Sequence, residues 1–240
     1  MLDIFNAADS LRMPYLSLCS KQFSIPALLR TLYATGMRVG EAIDIDLEKS
    51  VILIKKTKNQ RQRIVPINVS LKEVLAQYVS YRNKMPLVNI ENRDVTFFIA
   101  PNGSALSNTA IGAWFGKILK KCGIPFIGGN HGPRIHDIRH TCAVHSLMAQ
   151  VRSGADIYCV LPILSTFLGH KTLIGTERYI RLTQEMYPDC LANSAAKVRE
   201  VAWSKGKFVL KTAHTAKILH IGIFYPSFGQ GLIAKIFKVL

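Results

Sequence analysis

Residues Leu168 to Tyr179 read LGHKTLIGTERY. Just before the glycine, LPILSTFLGH carries Leu161, Ile163, Leu164, Phe167 and Leu168 in a stripe that suits a helix facing a core. After it, TLIGTERYIRLTQEMY reads as a further helix. The stretch is therefore two helices meeting at a Gly-His corner. Tyr179 stands nine positions after His170 (179 − 170). A packed tyrosine with a satisfied hydroxyl, and an ordinary core or capping histidine, are the bland readings of these two residues.

The same helical grammar extends outward. IPFIGGNHGPR is a Gly/Pro loop, and a helix from about Asp137 to Gln150 follows it, opening on HDIRHT. Ser24-Ile25-Pro26 reads as a helix start, ALLRTLYATG as its body and Gly36 as its stop. MRVGEAIDI restarts a short helix. VILIKK and RIVPI are β-branched runs around the polar TKNQRQR, which predicts a hairpin whose tip carries Lys58, Arg61 and Arg63. SLKEVLAQYVSYRNKM predicts a helix capped by Ser70, with Glu73 three residues on. TFFIA predicts a short strand, and SNTAIGAWFGKILKKCG a helix ending at Gly123. The expected class is α+β: mostly helical, with a small antiparallel sheet on one side.

Composition narrows the partners. The 240 residues hold 31 Lys plus Arg against 15 Asp plus Glu, a formal net charge of +16. Such a charge favours an anionic partner, and nucleic acid leads among these. The five cysteines, Cys19, Cys122, Cys142, Cys159 and Cys190, are scattered without a CxxC pair. That argues against a disulfide framework or a zinc site and for a reducing, cytoplasmic setting. No secretory signal and no spanning apolar run is read.

Four segments gather residues suited to phosphodiester chemistry: ATGMRVGEA, KTKNQRQRIVP, HDIRHT and LGHKTLIGTERY. Without a metal, such chemistry needs a nucleophile, fixed cations for the phosphoryl oxygens and a proton for the leaving hydroxyl. Arginine suits the phosphate because it stays charged and donates in a fork. Tyrosine can attack phosphorus and hold it covalently.

Taken together, the segments resemble the catalytic domain of the tyrosine recombinases, the phage integrase family. TGMRVGEA resembles the T-G-x-R-x-x-E box, HDIRHT the H-x-x-R box, and LGH with its following Tyr the terminal box. KNQRQRIVP is similar to the hairpin that carries an active-site lysine. The boxes keep the family's order over roughly residues 25–190. The resemblance implies that Arg38 and Arg139 grip the scissile phosphate and that Tyr179 attacks it, leaving a 3′-phosphotyrosyl link and a free 5′-hydroxyl. It implies Lys58 as general acid, although Lys55, Lys56, Arg61 and Arg63 stand beside it as alternative phosphate contacts. His136 is expected to assist proton transfer with the tyrosine, and His170 to bond a non-bridging oxygen. Glu41 and His140 are expected as supports behind these groups. Arg61, Arg63, Arg134, Lys171, Arg178 and Arg181 are candidates for DNA-backbone contacts, which give affinity without base readout. His131 and His145 stay with the bland reading. No metal or other cofactor is implied.

The expected organisation is a catalytic domain over 1–195 and a basic, apolar tail over 196–240. Between Lys197 and Leu240 the tail carries eight Lys/Arg against one acidic residue, a net of +7. The arginine box begins at residue 35, so the helical DNA-clamping domain that usually precedes it in the family is expected to be absent. The partners implied are double-stranded DNA and further copies of the chain on that DNA, with no membrane. The activity implied is site-specific recombination or integration. The alternative is a truncated, non-catalytic DNA-binding fragment.

Overall fold

A computed structural model describes residues 1–11, 20–43, 46–48, 51–54, 62–87, 96–125 and 132–187, and the strand pair 203–204 and 207–208. The helices are α1 (Leu2–Asp9), α2 (Lys21–Thr35), α3 (Val39–Ile43), α4 (Val69–Asn83), α5 (Asn108–Lys121), α6 (Asp137–Arg152), α7 (Ile157–Leu168) and α8 (Ile174–Met186). The strands are β1 (Asp46–Glu48), β2 (Val51–Ile54) and β3 (Arg63–Pro66), then β4 (Trp203–Ser204) and β5 (Lys207–Phe208). Strands β1, β2 and β3 form one antiparallel sheet in that order, and β4 pairs with β5. The α+β expectation holds.

The core is built around α2 and α6. Leu28, Leu29 and Leu32 of α2 are fully or almost fully buried. Each contributes on the order of 1.5–3 kcal/mol by leaving water. Facing them, α6 buries Ile138, Cys142, Ala143, Val144, Ser146 and Leu147. Its small residues let α2 and α7 approach closely, and α8 packs against it as well. The sheet adds Ile52, Ile54 and Val65 from one side.

Several predicted boundaries move. Helix α2 starts at Lys21, capped by the Ser20 hydroxyl accepting from the Gln22 N–H at 3.2 Å. Ser24 does not start it, because its buried hydroxyl donates to the Ile99 carbonyl, and Pro26 lies inside the helix. Asn68, not Ser70, caps α4: its side-chain oxygen accepts from the Leu71 N–H at 2.8 Å. Helix α7 begins at Ile157, with the Asp156 carboxylate accepting from the Tyr158 N–H. TFFIA contributes a single bridge, Ile99 to Ala105, rather than a strand. The two-stranded hairpin gains a third strand, β1. Arg63 opens strand β3 instead of sitting at the hairpin tip. No helix among the described residues is long and apolar enough to cross a membrane.

Candidate active site

Three helix ends meet where the boxes converge. Gly36 ends α2 with φ of 58°, and its N–H donates to the Leu32 carbonyl at 2.9 Å. A Cβ here would stand 2.7 Å from Leu168 Cδ2 and 3.1 Å from Cys142 Sγ, so the position needs glycine for space as well as backbone. Arg139, in the first turn of α6, is only 2% exposed. Its Nη1 donates to the Gly36 carbonyl at 2.6 Å and its Nη2 to the Leu168 carbonyl at 2.7 Å. Those carbonyls lie at the C-terminal ends of α2 and α7, where partial negative charge collects. One guanidinium therefore ties the first and last boxes together.

Glu41 organises the cations. It is 3% exposed on α3. One oxygen accepts from Arg38 Nη1 at 2.8 Å; the other accepts the Arg38 N–H at 3.0 Å and Arg63 Nη2 at 2.7 Å. Burial pushes this carboxyl up, but the two arginines outweigh it and hold it below the usual carboxylate range. Two guanidinium groups share one carboxylate, so the cluster keeps a net positive charge. Arg38 stays a quarter exposed and keeps donors free of Glu41.

Arg63 was expected to reach DNA backbone, and its guanidinium is instead spent inside the site. It is largely covered, bonded to Glu41, and packed on Gly169: an added Cβ there would lie 2.7 Å from Arg63 Nη1. Its Nε is buried without a hydrogen-bond partner. The signal was readable, since alternation in β3 puts Arg63 and Val65 on one face with Ile64 outward.

Tyr179 projects from α8 into this cluster and is 2% exposed. Its hydroxyl lies 3.2 Å from His140 Nδ1. Its ring stacks on His170, with centroids 5.9 Å apart and planes 15° apart. Burial raises its pKa, while the neighbouring Arg139 and Arg178 work against that rise. His170 Nδ1 is 2.7 Å from the Thr176 hydroxyl. Burial, then Arg139, Arg38 and Arg63, push its imidazole down to about 4. Thr176 was missed in the sequence, although it stands three residues before Tyr179 on one helical face.

His136 is exposed at the start of α6, and its ring meets His140 edge-on at 5.0 Å. Partial desolvation of its ring, then His140 and Arg139, lower its pKa. His140 is thus the histidine at the tyrosine hydroxyl, and His136 stands behind it. Arg134 is exposed and bridges to Asp137 at 3.5 Å. Lys171, Arg178 and Arg181 are exposed. Arg181 lines an open cleft of about 450 Å³ between α7 and α8, with Tyr158, Leu161, Leu173 and Glu177. Lys58 and Arg61 lie outside the described residues. His145 belongs elsewhere: its Nδ1 is 2.7 Å from the Tyr33 hydroxyl.

This buried tyrosine among arginines and histidines, carried on a helical domain with a small sheet, has the architecture of a tyrosine recombinase catalytic domain. A post-cleavage structure of the XerH site-specific recombinase bound to palindromic difH substrate superposes with a TM-score of 0.57 at 21% identity, over 83% of this chain and 51% of that one. The sequence profile of the phage integrase family matches residues 4–186, and the chain belongs to that family. A putative integrase/recombinase, y4rE, of Sinorhizobium fredii (strain NBRC 101917 / NGR234) is 30% identical over 65% of this chain and 50% of its own length. Tyrosine recombinase XerC of Bacillus licheniformis is 30% identical over 67% of this chain and 50% of its own length. The chain spans about half the length of these relatives.

Proposed function

We propose that this chain cleaves and rejoins DNA strands in site-specific recombination, with Tyr179 as nucleophile. The observation that carries the reading is the convergence on one hydroxyl: Tyr179 lies among Arg139, His140 and His170, beside the Arg38–Glu41 pair. In this reading Arg38 and Arg139 supply fixed positive charge to the non-bridging phosphoryl oxygens as they gain charge. Arg38 presents its free donors, while Arg139 adds its charge from beneath. His170 is held neutral by its surroundings and offers a hydrogen bond to a phosphoryl oxygen, its ring fixed by Thr176. Lys58 protonates the departing 5′-oxygen. The product is a 3′-phosphotyrosine, which a 5′-hydroxyl reverses by attack. Arg134, Lys171, Arg178 and Arg181 hold neighbouring phosphates and set the salt dependence of binding. Each strand cut needs its own tyrosine, so the reading includes assembly of several copies on double-stranded DNA.

One observation favours a second reading, a DNA-binding fragment that no longer cuts: the residue read as nucleophile is only 2% exposed. A nicked suicide duplex decides between the two. An SDS-resistant protein–DNA adduct that disappears in Tyr179→Phe supports the enzyme. Binding without an adduct on a cognate site refutes it and leaves the fragment.

A further inference from the structure

His170 has two ring nitrogens, and the protein occupies one of them. The ring is half-buried at the corner between α7 and α8. Its Nδ1 stands 2.7 Å from the Thr176 hydroxyl, and its Nε2 has no hydrogen-bond partner among the described residues. One ring face lies along the Tyr179 ring, with planes 15° apart. On the α8 side, a Cβ added to Gly175 would stand 3.6 Å from Nδ1. Turning the ring over would put a carbon where Nδ1 now meets the hydroxyl, and the bond would be lost. Thr176 is fully buried in the first turn of α8, and Nδ1 is the only partner of its hydroxyl among the described residues.

We propose that Thr176 is a positioning residue: its hydroxyl donates to His170 Nδ1, locks the ring and keeps the imidazole hydrogen on Nε2. The proposal rests on the reading of the chain as a cleaving enzyme in which His170 bonds a phosphoryl oxygen. A non-bridging oxygen accepts hydrogen bonds and donates none. It is served by an Nε2–H and repelled by an Nε2 lone pair. The choice of tautomer therefore decides whether His170 helps the phosphate or opposes it.

Two observations select the tautomer. A buried hydroxyl needs an acceptor for its own hydrogen. With hydrogen on Nδ1, the ring would donate to the Thr176 oxygen and leave the hydroxyl hydrogen with no acceptor among the described residues. With hydrogen on Nε2, the hydroxyl donates to the Nδ1 lone pair and both groups are satisfied. The ring is also neutral, since burial and then Arg139, Arg38 and Arg63 push it down to about 4, so its single hydrogen has to take one nitrogen or the other. Thr176 stands three residues before Tyr179, about one turn back on the same helix. Helix α8 thus carries the candidate nucleophile and sets the hydrogen of the histidine stacked on it.

Nitrogen-15 NMR of the histidine-labelled full chain at neutral pH reads the tautomer, with His170→Gln assigning the signal. The wild-type ring is expected to carry hydrogen on Nε2, with Nδ1 a hydrogen-bonded acceptor. Thr176→Val, close in shape and without the hydroxyl, is expected to shift the Nδ1 resonance to that of an unbonded acceptor. Adduct formation on a suicide duplex is expected to slow about 10- to 10²-fold in that variant, the range for losing the partner that orients a metal-bound histidine. Thr176→Ser, which keeps the hydroxyl, is expected to recover most of the loss. In a His170→Ala background Thr176→Val is expected to add nothing, because it acts through that ring. A wild-type chain that makes the adduct with its His170 hydrogen on Nδ1 overturns the proposal alone, whether or not the valine variant folds. So does a loss that adds in full to that of His170→Ala. A wild-type chain that makes no adduct overturns the enzymatic reading, and the positioning role with it, while the spectrum still reports the tautomer.

Discussion

Substituting Gly169 by alanine probes how the last box is locked to the first. Gly169 ends α7 with φ of 69°. A non-glycine residue in that left-handed region costs about 1–2 kcal/mol. The new methyl would also stand 2.7 Å from Arg63 Nη1 and 3.0 Å from Cζ, well inside the ~3.5 Å at which carbon contacts become favourable. Arg63 has to withdraw, which stretches its 2.7 Å bond to Glu41. A hydrogen bond to a charged group contributes about 1.5–3 kcal/mol. The sum for Gly169→Ala is about 2.5–5 kcal/mol. Gly123 supplies the control, since its φ is also 69° and nothing lies within 4 Å of an added Cβ. Gly123→Ala is expected to cost only the backbone share, about 1–2 kcal/mol. Urea unfolding of both variants measures the difference. A cycle with Arg63→Met isolates the contact: in that background Gly169→Ala falls to the Gly123→Ala value. Equal costs at the two glycines, or additivity within about 0.5 kcal/mol in the cycle, would refute the lock.

Glu41→Gln is expected to destabilise the fold by about 2–5 kcal/mol at neutral pH, because the half-buried Arg38 and the largely covered Arg63 lose their shared counter-charge. The carboxyl titrates lower in the folded chain than in the unfolded one, so its contribution is full above the ordinary 4.5 and fades as pH falls through the folded value. Acid unfolding monitored by circular dichroism should accordingly lose that part of its slope in the glutamine variant. His170 also titrates lower when folded, about 4 against 6.5, so the unfolded chain binds the extra proton between those values. Stability is full above pH 6.5 and declines toward pH 4, and His170→Gln should flatten that limb; an unchanged limb would count against a buried neutral imidazole. Arg38→Lys removes the fork that bonds Glu41 and, on the proposed reading, holds phosphate. Adduct formation should drop about 10²- to 10³-fold, as for loss of one donor to a charged transition state, with little change in the urea midpoint.

How far the sequence could be read depends on the range of the interaction. Helix periodicity, the turn glycines and the spacing of His170 from Tyr179 are local, and they placed α5 to α8 and the boxes on them. Helix starts were less legible. Ser24 looks like a cap until the fold gives its hydroxyl a partner 75 residues away, and Asn68 takes the cap expected of Ser70. By itself the sequence determined the family and the α+β class, and it singled out Tyr179 as the candidate nucleophile. The tertiary structure alone decided which groups meet. Arg63 reaches Glu41 across 22 residues, His140 reaches Tyr179 across 39, and Arg139 reaches Gly36 across 103. Side-chain partners at such separations are set by how α2, α6, α8 and β3 pack, and no local pattern of residue types encodes that packing.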